Sequence, residues 1–305
     1  MYYQSKLFQT QIVLQLILVV IVYGFSFAVE VQAIFCGILL CTVGIPHGSN
    51  DYLYRPDKSM IGMFKFLSIY LGTMLLYLGL WWIAPLLALI LFFVISFHHF
   101  GQSNFENESL RYLPSWLWGI WVLVFPVLLH FTEAADIFQK MLASNNLANS
   151  SLFVEQSAIA DFDWPVIVMF MLGIIYLISL VVYERQRFVY YFIQFGLITL
   201  WYFLAPLLSG FIIFFCLWHA LQSMRHQTIY FRQSVNGTIP KFLKSMMPFS
   251  LLALLSFGLY VYFRGFQLAE AFILLSVITL PHVLVMHQLY HKTSEQKILH
   301  TLNEN

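Results

Sequence analysis

Four apolar runs of this chain end in histidine, or carry it, where a lipid-facing segment has no use for one. GIPHGSND at 44–51 sets His47 and Asp51 directly behind the run VQAIFCGILLCTV, and SFHHFGQSN at 96–104 brings His98 and His99. FCLWHALQSMRHQ at 215–227 carries His219 and His226, and LPHVLVMHQLYH at 280–291 carries His282, His287 and His291. Any one of these reads plainly as a polar residue gathered at a helix end. Together they ask for more, because ionisable groups inside a membrane are expensive and by default face the bundle interior. His219 lies about nine residues, or about 14 Å, into its segment, so its imidazole needs a partner. Neutral imidazole is the commonest biological metal ligand, and histidines from several segments at similar depth make a shared metal ion the economical partner. No cysteine or carboxylate cluster accompanies them, which implies an all-nitrogen ligand set. Imidazole suits zinc, copper, iron and nickel alike, and spacing does not choose among them.

Local spacing adds detail. His219 and His226 are seven residues apart and share a helix face, but two turns span about 10.5 Å, so joint ligation by both needs a tilted or distorted helix. His287 and His291 are four apart, as in helical zinc motifs, yet they lie near the interface, where solvated histidine is ordinary. Asp51, four residues after His47, is placed to orient a ligand through its ring N–H; a helix-flanking aspartate is an equally good reading.

The elements that must hold these residues are membrane helices. Of 305 residues, 60% are hydrophobic and 10% charged, with a mean hydropathy of +0.78; soluble domains carry about 25% charge. The net charge of +1 excludes a broad polyanion-binding surface, so nucleic acid is not an expected partner. Cys36, Cys41 and Cys216 all lie in apolar runs and read as buried small hydrophobes. The N-terminal apolar stretch has no small-residue cleavage site behind it and reads as a first spanning helix.

A span takes about 20 mostly apolar residues. Ten segments qualify, at roughly 10–29, 31–47, 61–83, 85–101, 112–130, 165–183, 188–205, 208–227, 243–263 and 267–288. The expected fold is a single all-α polytopic membrane domain over 1–305, with a polar external loop at about 131–164 that carries a short amphipathic helix near 133–143. With all ten crossing and both termini cytoplasmic, every one of the 15 Lys and Arg residues except Lys140 and Arg264 falls on the inner side. The four histidine-bearing segments are then the even-numbered ones, and all deliver their histidines to that inner face.

GIPHGSNDYL at 44–53, SFHHFGQSN, FCLWHALQSMRHQ and LPHVLVMH together resemble the Brp/Blh family of membrane β-carotene 15,15'-dioxygenases, in size, helical membrane character and motif order. The resemblance implies a non-haem Fe(2+) centre held by histidines, which uses O2 to split the central double bond of β-carotene into two all-trans-retinal molecules. It implies ligation by His47 of PHG, His99 of HFG, and His219 and His226 of the tryptophan–histidine helix. The family's two histidines in that helix are closer together than the seven residues here, so His282 of LPH is the alternative fourth ligand or a supporting residue. A bacterial inner membrane, a site toward the cytoplasm, carotene entering from the bilayer and retinal passing to a microbial opsin also follow. Gly48 is expected to let the chain turn where the second segment ends.

Two other classes compete. A di-iron desaturase or hydroxylase needs about eight histidines in HxxxH and HxxHH boxes, and no HxxHH is present. A metal or proton-coupled transporter needs a polar path across the bilayer, whereas these polar residues gather at one face.

Overall fold

A computed structural model describes residues 8–18, 29–105, 109–143, 164–235 and 237–303, with side chains described at all of these except 29–30, 234–235 and 291–303. Every regular element among them is helical. The helices are α1 (Phe8–Leu18), α2 (Val29–Leu39), α3 (Met60–Ile83), α4 (Pro85–Phe105), α5 (Leu113–Leu129), α6 (Phe131–Leu142), α7 (Trp164–Tyr183), α8 (Phe188–Leu204), α9 (Leu207–Phe214), α10 (Leu221–Val235), α11 (Ile239–Arg264) and α12 (Leu268–Asn303). Two π-helical stretches interrupt the regular geometry. Leu40–Gly44 extends α2 into short 3-10 turns at Pro46–Gly48 and Asp51–Tyr54, and Phe215–Ala220 joins α9 to α10.

Eight helical stretches among the described residues are long and apolar enough to cross a membrane, or nine when α5 and α6, bent by 103° at their junction, are taken as one. This is the make-up of a multi-pass membrane protein. The expected ten are thus not all recovered. α5 alone has 17 residues, and residues 19–28 of the first expected span lie outside the described residues. The short helix expected near 133–143 is α6. It buries Ala134, Ile137 and Met141 on one face and turns Glu133, Asp136 and Lys140 outward, with Lys140 Nζ 2.6 Å from Asp136 Oδ2. Residues 144–163 of the polar loop lie outside the described residues.

Helix directions follow from their contacts. α4 and α5 run antiparallel with backbones touching: a Cβ on Gly101 would stand 1.8 Å from the Ser115 carbonyl oxygen, and one on Gly119 1.8 Å from that of Phe97. Small residues at such a crossing are what let membrane helices approach closely. α5 meets α7 antiparallel through Trp118 against Tyr176 and Trp121 against Gly173. α8 returns beside α4, where Gln194 and Asn104 exchange amide hydrogen bonds of 2.8 and 3.3 Å and Tyr191 meets Phe105. α9–α10 then runs parallel to α4, with Phe100 facing Phe214, Ser103 facing His219 and Asn104 facing Gln222. α12 is also parallel to α4, pairing His99 with His282 and Gln102 with His287. Three histidine-bearing helices therefore share one direction, which is what brings their side chains to one level.

Candidate metal centre

Four imidazoles meet in a closed ring. Their centroids are 4.9 Å apart from His47 to His282, 5.1 Å from His282 to His99, 4.8 Å from His99 to His219 and 5.6 Å from His219 back to His47. All four are buried, His99 at 1% exposure.

Each reaches the ring for a local reason. His47 sits in the Pro46–Gly48 turn, where the π-helical end of α2 has rotated the chain inward. That bend packs on the other π stretch: a Cβ at Gly44 would lie 3.2 Å from Phe215 Cε1 and 3.3 Å from Cys216 Sγ. His219 belongs to the second π stretch itself, a geometry frequently found at functional sites. His282 follows Pro281 inside α12. Gly48 has an ordinary backbone, Gly265 being the one glycine of positive φ among the described residues. Gly48 packs against the ring, since a Cβ there would rest in ordinary contact with His282 Nδ1, at 3.4 Å.

Hydrogen bonds fix three tautomers. His47 Nδ1–H donates to the Gly44 carbonyl. His282 Nδ1–H donates to the Asp51 carboxylate, at 2.9 and 3.0 Å from its two oxygens, and Asp51 Oδ2 also accepts from the Tyr70 hydroxyl at 3.0 Å. Ser103 donates its own hydroxyl to the Phe100 carbonyl at 3.0 Å, so its oxygen accepts His219 Nδ1–H, also at 3.0 Å. In all three histidines Nδ1 carries the proton and Nε2 keeps its lone pair, the ligand form of imidazole.

The donor set fits a metal ion. Nε2 of His47 and of His282 and both nitrogens of His99 are buried without a hydrogen-bond partner, and a buried polar atom left so costs about 1–3 kcal/mol unless something satisfies it. With metal–nitrogen bonds of about 2.1 Å, imidazoles around one ion stand roughly 4.5–5 Å apart between centroids. Two of the observed spacings, 4.8 and 4.9 Å, fall within that range and two, 5.1 and 5.6 Å, lie beyond it, and no three His, Cys, Asp or Glu side chains among the described residues already converge as a formed metal site.

The expected ligands His47, His99 and His219 are brought together. His226 is placed elsewhere, its ring against Tyr290 at 5.4 Å, and His282 occupies the fourth position. The reason is the helix: two turns separate His226 from His219, while α12 delivers His282 at the right depth. Asp51 serves His282 rather than its sequence neighbour His47. Tyr70, Ser103 and the Gly44 carbonyl were not foreseen; Ser103 falls four residues after His99, and Tyr70 carries no local signal at all. His98 turns away from the ring toward Trp116 and His287, at 5.4 and 5.8 Å. Aromatic faces close the ring's flank, with Phe100 stacked on His219 at 4.1 Å and Phe215 beside His47 at 5.2 Å.

A many-helix membrane protein with four buried histidines, three of them held in one tautomer, belongs to the class that can hold a metal ion within the bilayer. The profile of the beta-carotene 15,15'-dioxygenase family matches residues 38–290, and the chain belongs to that family. It is 25% identical over 278 residues to the beta-carotene 15,15'-dioxygenase of the uncultured marine bacterium 66A03, covering 85% of this chain and 94% of that one. No solved structure matches it.

Proposed function

We propose that the protein cleaves β-carotene oxidatively at its central 15,15' double bond to give two molecules of retinal, with ferrous iron held by His47, His99, His219 and His282. The observation that carries this reading is the four-imidazole ring with unpartnered buried nitrogens in a chain of this family. When bound, the iron would supply the activation of O2 that a hydrocarbon double bond lacks unaided.

The chain's own residues do the rest. The Gly44 carbonyl, Asp51 and Ser103 hold Nδ1–H groups, so the rings present Nε2 without rotating. Burial of the ring keeps bulk water from the reacting double bond. β-Carotene offers no polar handle, so its position rests on shape and on apolar faces, of which Phe100 and Phe215 lie nearest the histidines. A bilayer-soluble substrate enters laterally between helices. The inner-membrane setting, with the ring toward the cytoplasm, is supported by the distribution of Lys and Arg.

Expression in bacteria that accumulate β-carotene, followed by chromatography of extracted retinoids, tests the activity. Loss of colour with retinal appearing is expected. Carotene left intact beside membrane-inserted, iron-supplied protein would contradict it.

A further inference from the structure

We infer that Gln11 and Gln15 of α1 are positioning residues for the metal centre, holding the π-helical stretch that presents His219. This rests on the metal reading above and extends it to a helix that precedes the family-matched segment 38–290. Two glutamines one turn apart in an apolar helix are costly within a membrane. Both are about fully buried, at 1% exposure, and both are spent on the same six residues. Gln11 Nε2 donates to the Leu217 carbonyl at 2.8 Å and lies 3.5 Å from that of Trp218. Trp218 Nε1 donates to Gln15 Oε1 at 2.6 Å, and Phe8 closes on the Trp218 ring at 6.0 Å.

The receiving stretch, Phe215–Ala220, is the one that needs support. π-Helical turns are rare and short, and here the Leu221 N–H is divided between the Cys216 and Trp218 carbonyls. Gln11 gives the Leu217 carbonyl a side-chain donor in this altered ladder. Without that donor the stretch gains by reverting to α geometry, and a one-residue change of register turns a side chain by about 100°. His219, inside the stretch, would leave the ring, while His47, His99 and His282 would stay.

The test uses the full-length protein, purified in detergent and stripped of metal, with ferrous ion titrated anaerobically against a chromogenic chelator. Gln11→Leu is expected to weaken iron binding tenfold or more with the metal-free melting temperature unchanged. Val13→Ala, on the lipid face of the same helix at 53% exposure, is expected to stay within twofold of wild type. Equal affinity in wild type and Gln11→Leu overturns the inference, as does a loss of affinity matched by a general loss of stability. If Gln11→Leu does not fold, Gln15→Met, which removes the acceptor of the Trp218 N–H and leaves the indole in place, carries the same comparison with the same readings. A wild-type chain that takes up no ferrous ion overturns the metal reading itself, and this inference with it.

Discussion

Asp51 joins three elements at one carboxylate, taking the His282 N–H from α12 and the Tyr70 hydroxyl from α3 onto the turn that follows His47. Groups that orient a ligand in this way are typically worth 10–100-fold in metal affinity. Asp51→Ala should therefore weaken ferrous binding by about that factor, read by chelator competition. Tyr70→Phe, which removes one hydrogen bond worth about 1 kcal/mol, should cost less than about tenfold. Affinity unchanged in Asp51→Ala would mean that His282 needs no such support. The residue types of the candidate site were legible in the sequence because imidazole in an apolar run is conspicuous by itself. Their pairing was not. Asp51 stands four residues after His47 in sequence, a spacing that suits a ligand-orienting or a merely helix-flanking carboxylate, but it serves a ring 231 positions along the chain, and His47 uses a backbone carbonyl that no side-chain pattern advertises.

At the scale of elements, the α4–α5 crossing sets where His99 stands. A methyl group on Gly101 would fall 1.8 Å from a carbonyl oxygen of α5, where no flexible side chain can yield. Gly101→Ala should force the helices apart and carry His99 out of the ring, despite the roughly 1 kcal/mol that alanine gains over glycine in helix propensity. The expected result is a membrane-inserted protein with a lowered melting temperature and little bound iron. Normal iron content would show that the crossing has slack. The helices themselves were readable from apolar length, and α6 from its amphipathic pattern. The π stretches were not, since no residue pattern sets Leu40–Gly44 or Phe215–Ala220 apart from the apolar turns that precede them. That is also why His219 and His226 seemed paired on one face, when the bundle instead recruits His282.

For the whole molecule, crossing number and orientation turn on the first expected span and on α5. α5 runs antiparallel to both α4 and α7 with only 17 residues, and the bias of Lys and Arg bears on orientation independently of helix length. In a background of Cys36→Ala, Cys41→Ala and Cys216→Ala, single cysteines placed within 144–163 should react with an impermeant maleimide added outside intact cells. Cysteines placed after Tyr290 should react only once the cells are opened. Labelling of the tail from outside would reverse the topology and put the histidine ring toward the other face. Metal binding through His282 rather than His226 can be read from the iron content of three purified proteins. Wild type and His226→Ala should each carry about one iron per chain, and His282→Ala much less. Iron kept by His282→Ala and lost from His226→Ala would make His226 the fourth ligand instead.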